Sequence, residues 1–230
     1  MKCNIKVCVA NFLIYCCFSF HCETTKKSIP KTDVLLIDFF IGENMKLDFG
    51  TKPLIYPQPV LIISSYNQDG TANAMNAAWG SVCDYTKISI VLDKNHKTVQ
   101  NIKEHKAFTV SIADIEHLKE SDFFGITSGN KITDKVTKAG LTYSKSKNVD
   151  APIINEYPLT MECKLISYDD STECAVAEIV NTLVDDSIVT NEKIDLSKFK
   201  PICYDCMNHD YIALGNKVGN AFSDGKTLEK

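Results

Sequence analysis

The sequence predicts a mainly β fold with short helices, closed into a barrel rather than built as a doubly wound sheet. Two observations lead to this prediction. Strand-like runs are many while helical segments are few and short, and the chain has neither a βαβ rhythm nor a G-x-G-x-x-G motif. The 230 residues are 44% hydrophobic and 23% charged, as in an ordinary globular domain with a substantial core. A nicotinamide nucleotide, if used, is therefore not expected in a Rossmann domain.

The strands are recognised as β-branched and apolar runs bounded by turn residues. We predict them over residues 59–66, 71–79, 87–92, 107–112, 159–168, 174–184 and 211–214. Asn67–Gly70 supplies the first hairpin turn and Asp169–Ser171 the last. Short helices are predicted over 96–105, from Asp114 as a cap towards Phe124, and over 131–139, where Gly140 ends the helix.

Residues 1–44 differ from the rest of the chain. Lys2 and Lys6 precede an apolar stretch that is typical of a signal peptide and too short for a membrane span, but small residues before a cleavage site are missing. We therefore predict an N-terminal extension over residues 1–44, either a signal peptide or an upstream start with Met45 as the functional start, and a folded domain over 45–230. The expected location is the cytoplasm, with the secretory pathway as the alternative if residues 1–22 act as a signal peptide.

The charged residues restrict the possible ligands. All 25 basic residues are Lys, so a bound phosphate has to be held by Lys, by hydroxyl groups and by backbone N–H groups. The net charge of −4 argues against a nucleic-acid partner. The ten Cys lack the spacing of a disulfide framework. Cys203 and Cys206 form a single C-x-x-C pair, for which a structural role is favoured, and no metal site is predicted.

Three stretches suit a flat ligand with a phosphate. Asn73–Gly80 is rich in small side chains that let a ring system approach the backbone. Asp93–Thr98 joins a strand to a helix, where free N–H groups attract phosphate. Phe124–Lys131, followed by Lys135, offers a close backbone and a positive charge. Taken singly, a tight hairpin anchored by Trp79, an ordinary capping turn and a surface loop explain these stretches equally well or better.

Taken together and in order, the motifs resemble the flavin reductase family with its flavoredoxin-like members. The resemblance covers residues 45–228 and is carried by Asp48–Pro57, Asp69-Gly70, Asn73–Gly80, His96-Lys-Thr98, Phe124-Gly-Ile-Thr-Ser-Gly129, Lys138-Ala-Gly-Leu-Thr142 and Gly215–Phe222. It implies an FMN-binding split β-barrel, usually a homodimer with flavin near the subunit interface. The N-terminal extension is atypical of the family. The Cys203/Cys206 segment is normally Pro-rich and Cys-free, so no role is carried over to it.

The resemblance also implies a set of cofactor-binding residues. Residues 73–79 would line the isoalloxazine ring and the ribityl chain, residues 96–98 would hold the phosphate, and the later residues would complete the site. The implied set is Asn73, Met75, Asn76, Ala77, Ala78, Trp79, His96, Lys97, Thr98, Ser128, Gly129 and Lys135.

The implied function is an NAD(P)H-dependent flavin reductase that passes electrons through bound FMN to a flavin or another acceptor. Hydride transfer from the nicotinamide to flavin N5 needs no obligatory protein acid or base, so no catalytic residue is assigned. His209 and Tyr211 could reach the site, although packing or surface roles fit them better. The alternatives are a flavoredoxin-type electron carrier without direct nicotinamide turnover, served by a redox protein partner, and a secreted binding protein suggested only by residues 1–20.

Overall fold

The computed structural model describes residues 46–229. The predicted extension over residues 1–44 lies outside the described residues. The chain divides into the units Met1–Thr51 and Lys52–Lys230, and every strand and helix given below belongs to the second unit. No helix among the described residues is long and apolar enough to cross a membrane.

The described part of this unit contains fourteen strands and three α-helices. The strands are β1 (Gln58–Pro59), β2 (Leu61–Tyr66), β3 (Ala72–Ala77), β4 (Gly80–Asp84), β5 (Lys87–Val91), β6 (Ala107–Ile112), β7 (Tyr143–Lys145), β8 (Pro152–Ile154), β9 (Leu159–Asp169), β10 (Cys174–Val184), β11 (Val189–Thr190), β12 (Lys193–Ile194), β13 (Ile202–Asp205) and β14 (Asp210–Ala213). The helices are α1 (Lys97–His105), α2 (Leu118–Ile126) and α3 (Lys135–Lys138), with 3-10 helices at Asp186–Ile188 and Asp224–Glu229. The predicted mainly β fold with short helices is confirmed.

The main sheet has seven antiparallel strands in the order β3-β2-β6-β9-β10-β5-β4. Its two edge strands, β3 and β4, follow each other in the chain and are joined only by Ala78 and Trp79. The sheet therefore curls until its two edges meet at this corner. There the Trp79 carbonyl accepts a hydrogen bond from the Val91 N–H at 2.8 Å, which attaches the corner to the end of β5.

The hydrophobic core lies on both faces of β2. Successive side chains of a strand point to opposite faces, so a strand that is covered on both sides reads as a continuous apolar run. Inside the barrel, Leu61 and Ile63 pack with residues of β5, β6 and β10, and α1 adds Val99 and Ile102. On the outer face, Val60 and Ile62 pack with residues of β3, α2, α3 and β13, among them Ala72, Ala74, Phe124, Val136 and Ile202.

Two helix predictions differ from the structure at the helix starts. The third helix begins at Lys135 rather than at residue 131, because Asp134 has a left-handed φ of 51° and residues 131 and 132 turn back to donate to the Ser128 carbonyl. Asp114 does not cap α2 directly. Its carboxylate accepts from the His117 N–H at 2.9 Å and fixes the turn that precedes the helix.

Candidate functional site

A cavity of about 180 Å³ lies where β3 meets the first turn of α1 and the loop after α2. We call it the polar cavity. It brings together the three stretches that the sequence singled out, and most of the predicted site residues line it: Met75, Asn76, His96, Lys97, Thr98, Ser128, Gly129 and Lys135. Phe124, Gly125, Ile126 and Thr127 complete its lining.

The first turn of α1 is suited to an anion. It contains no acidic residue, and the N-cap residue His96 makes no side-chain cap. The N–H groups of Lys97 and Thr98 have no acceptor among residues 46–229. These N–H groups and the positive end of the helix dipole attract negative charge. Before the helix, the Asp93 carboxylate accepts from the Asn95 N–H at 2.8 Å, and this bond lowers the pKa of Asp93 and holds the turn.

Asn73 supports the polar cavity from below rather than lining it. Its side chain is buried, and its Nδ2 donates to the Thr98 hydroxyl at 2.7 Å, which fixes β3 against the start of α1. Gly129 lies over the same residues. A Cβ at position 129 would come 2.4 Å from Asn73 Oδ1 and 3.1 Å from Lys97 Cβ, so the loop can approach this closely only with glycine.

Lys135 lies beneath the loop after α2 and is 1% exposed. Its ammonium donates to the carbonyls of Phe124 at 3.0 Å and Thr127 at 2.5 Å, at the C-terminal end of α2. Burial lowers the pKa of Lys135 to about 8. The predicted positive charge is therefore present at the cavity, but two of its three N–H groups hold the loop in place and one remains for a ligand.

The remaining predicted residues, Ala77, Ala78 and Trp79, lie outside the polar cavity. Ala77 packs inside the barrel, whereas Ala78 and Trp79 line a second, larger opening of about 690 Å³, which we call the apolar cleft. Its lining is mostly apolar and includes Leu61, Ile88 and Met161. Ten of the twelve predicted site residues thus line one of two cavities: the polar cavity, which meets β3 at Met75 and Asn76, or the apolar cleft, just beyond the C-terminal end of this strand.

Behind Asn76 lie three polar groups, of which sequence reasoning named Tyr211, while favouring a packing or surface role for it, and missed Ser121 and Asp122. The Asn76 Nδ2 donates to the Ser121 carbonyl at 3.1 Å and to the Tyr211 hydroxyl at 3.4 Å, and Tyr211 in turn donates to Asp122 at 2.9 Å. Tyr211 therefore reaches a predicted site residue from 135 positions away, a separation that no local pattern reveals. The His209 Nδ1 instead bonds to the Tyr204 hydroxyl at 2.8 Å, and His209 forms no hydrogen bond with a predicted site residue among the described residues.

Comparison with known proteins then decides the family. The model of the flavin reductase like domain matches residues 54–202. The chain belongs to this family. Flavoredoxin of Desulfovibrio vulgaris (Miyazaki F) is 34% identical to this flavin reductase-like protein, with 79% of this chain and 100% of that one covered and a TM-score of 0.75.

Two further solved structures share the fold of this flavin reductase-like protein. Flavoredoxin from Methanosarcina acetivorans is 24% identical, over 80% of this chain and 99% of that one, with a TM-score of 0.73. An FMN-binding domain of a flavin reductases-like enzyme from Shewanella baltica is 21% identical, over 71% of this chain and 89% of that one, with a TM-score of 0.65. The predicted family and the predicted split-barrel fold class are confirmed.

Proposed function

We propose that this flavin reductase-like protein binds FMN and acts as an NAD(P)H-dependent oxidoreductase, passing electrons through the bound flavin to a flavin or another acceptor. One observation carries the proposal: an anion site and a free strand edge lie side by side at the polar cavity. FMN has the same division, a phosphate at one end and a flat ring with carbonyl and N–H groups at the other.

The phosphate end matches the first turn of α1. The free N–H groups of Lys97 and Thr98, together with the Lys97 ammonium, form an anion site that needs no Arg. This agrees with a chain whose basic residues are all Lys. His96 and Ser128 add donors from the cavity walls. The cavity of about 180 Å³ is small for a whole FMN, so it would hold the phosphate and part of the ribityl chain.

The ring end matches strand β3. Among the described strands, β3 pairs only with β2, so the backbone groups on its other side are free to bond the ring. Strand residues rise by about 3.3 Å each, so the path from Met75 to Trp79 extends roughly 13 Å, enough for the rest of the ribityl chain and the ring. When bound, FMN supplies the electron-accepting ring. The chain's own residues bind it, orient it and exclude water, and no protein acid or base is required.

A second candidate function is the flavoredoxin-type electron carrier, which receives electrons from a redox protein rather than from a nicotinamide. The 34% identity to a flavoredoxin over the whole length of that protein favours it. Both candidates share the FMN site and differ only in the electron donor.

We also propose that the protein is a homodimer, as the family resemblance implies. Large apolar side chains that line or adjoin the apolar cleft are exposed, among them Ile55, Trp79 and Val82 at 70%, 58% and 69%. Apolar patches of this kind mark protein interfaces. A second copy of the chain would cover them.

The cytoplasmic location and a start at Met45 are also proposals, which N-terminal sequencing of the native protein tests.

The deciding experiment uses the chain's only tryptophan, Trp79, as the reporter. Titration of the purified full-length protein with FMN should quench its fluorescence to saturation at one FMN per chain. Anaerobic addition of NADH and then NADPH follows, monitored by the visible flavin bands. Rapid bleaching identifies a nicotinamide-dependent reductase, whereas flavin that stays oxidised with both nucleotides identifies the carrier. A protein that neither contains nor takes up FMN contradicts both candidates.

A further inference from the structure

Behind the polar cavity, three side chains from distant parts of the fold form a hydrogen-bonded row. Asn76 lies in β3, Tyr211 in β14 and Asp122 in α2. The Tyr211 hydroxyl is 3.4 Å from Asn76 Nδ2 and 2.9 Å from Asp122 Oδ1. Of the three, Asn76 lines the cavity. The row therefore connects the cavity wall, through Tyr211 of β14, to a carboxylate on α2.

The chemistry of the partners fixes the direction of every bond in the row. The Ser121 carbonyl can only accept, so the atom of Asn76 that lies 3.1 Å from it must be the amide nitrogen. The Tyr211 hydroxyl has one proton, which it gives to the Asp122 carboxylate, and it accepts from Asn76 in return. Burial, together with the bond to Asp122, raises the pKa of Tyr211 to about 12, so this proton is present at neutral pH.

With its nitrogen held from behind, Asn76 has only one group left to offer. Its Oδ1 has no hydrogen-bond partner among the described residues and is not a buried orphan. An amide that was free to rotate could present either its oxygen, an acceptor, or its NH2 group, a donor, to a ligand. This one presents an acceptor.

We propose that Tyr211 is a positioning residue for ligand recognition: it holds Asn76 with the amide oxygen presented as an acceptor, which selects a ligand that has an O–H or N–H donor at that point. The inference rests on the proposed function, since a ribityl hydroxyl or the imide N–H of a flavin supplies such a donor. Neither Tyr211 nor Asp122 needs to touch the ligand.

The competing explanation is that Tyr211 only packs the small sheet β1-β13-β14 against the barrel. Tyr204 provides a matched control. It is the register partner of Tyr211 in this sheet, and the two ring centroids are 6.2 Å apart. Its hydroxyl bonds to His209 rather than to Asn76. Tyr204→Phe therefore removes the same atom from the same sheet without affecting the row.

The test measures FMN affinity of the full chain through Trp79 fluorescence. Tyr211→Phe should raise the Kd about tenfold, the usual effect of losing one hydrogen bond and leaving its partner unsatisfied, and Tyr204→Phe should leave it within about twofold. The double variant Asn76→Ala/Tyr211→Phe should bind no worse than Asn76→Ala alone, because Tyr211 acts through Asn76. Asp122→Asn keeps an acceptor for the hydroxyl and should resemble the wild type, whereas Asp122→Ala should resemble Tyr211→Phe.

The outcomes separate this inference from the function on which it rests. Wild-type protein that does not bind FMN overturns both. Wild-type binding combined with an unchanged Kd in Tyr211→Phe overturns the inference alone, and so do additive losses in the double variant or an equal loss in Tyr204→Phe. If Tyr211→Phe fails to fold, the pair Asp122→Asn and Asp122→Ala decides, since both leave the tyrosine ring in place.

Discussion

The polar cavity, beside Met75 and Asn76 of β3, and the apolar cleft, just beyond the C-terminal end of that strand, differ in how their walls are built. Around the polar cavity, Asn73 and Lys135 are buried and hydrogen-bonded to Thr98 and to the end of α2. At the apolar cleft, Trp79 makes no side-chain hydrogen bond with a described residue and is 58% exposed.

The difference predicts where ligand recognition resides. Polar groups that are held by their own partners before a ligand arrives need little reorganisation on binding, so the polar cavity can be selective. Apolar side chains that are half exposed offer area but little direction, so the apolar cleft suits a flat ring or a second copy of the chain. The following variants test this division, beginning with the largest expected effect.

Gly129→Ala should damage the polar cavity most. The new Cβ would lie 2.4 Å from Asn73 Oδ1, and Asn73 cannot move away while it is buried and bonded to Thr98. The loop has to shift instead, and overpacking of this kind costs about 1–3 kcal/mol, so FMN affinity should fall by up to about a hundredfold. Titration by fluorescence measures the loss.

Gly225→Ala is the control, because a Cβ there meets nothing within 4 Å. Equal FMN affinity in the two glycine variants would show that the loop does not form the cofactor site.

Lys97→Glu should separate binding from stability. A carboxylate in the first turn of α1 interacts favourably with the helix dipole, by about 0.3–1 kcal/mol, yet it repels a phosphate. Loss of the charge-assisted contact should lower FMN affinity about thirtyfold. Chemical denaturation should show equal or higher stability.

Riboflavin, which lacks the phosphate, is the matched ligand for this variant. Its affinity should be the same in Lys97→Glu and in the wild type. A parallel loss of riboflavin binding would place the phosphate elsewhere.

Lys135, in the wall of the polar cavity, should make the free energy of unfolding depend on pH. Its pKa is lowered from 10.5 to about 8 in the folded protein, so between these values the unfolded chain binds more protons than the native one. The free energy of unfolding should therefore rise with pH across this window, by at most about 1.4 kcal/mol per pH unit. Urea titrations at pH 7.5 to 9.5 measure the slope in the wild type and in Lys135→Met. The same slope in both would assign it to other groups.

Val82→Glu should have the smallest effect on the fold. Val82 is 69% exposed in the apolar cleft, so the substitution should change the free energy of unfolding by no more than about 0.5 kcal/mol. It should nevertheless convert the proposed dimer to a monomer in sedimentation experiments. A dimer that survives the substitution would show that the apolar cleft is not the dimer interface and would favour a ligand as its occupant.

Much of the fold could be predicted from local patterns. The hairpin of β2 and β3 follows from an apolar run and the turn at Asn67–Gly70, and Cys174–Val184 is the strand that the sequence predicts. β4 was absent from the prediction, since Gly80–Asp84 is mostly exposed and lacks an alternating pattern. β13 is too short to show one, and its pairing with β1 brings together residues that are distant in sequence.

For the site, the sequence indicated residues better than it indicated their roles. His96, Lys97 and Ser128 line the polar cavity as the family motifs suggest. Lys135 is predicted to supply a positive charge that completes the site, but the fold places two carbonyls at its ammonium, which the sequence does not reveal. The bond between Asn76 and Tyr211 likewise depends on the packing of β14 against α2.

The joint at Ala78 and Trp79 has a mechanical consequence. All neighbouring strands of the main sheet are joined by ladder hydrogen bonds, but the two edge strands, β3 and β4, are not paired with each other. The barrel is therefore open between these two strands, which are linked only by the chain at Ala78 and Trp79. Force applied across the sheet would separate the barrel at this opening first. A molecule that is hydrogen-bonded to the free edge of β3 would lie along one side of the opening.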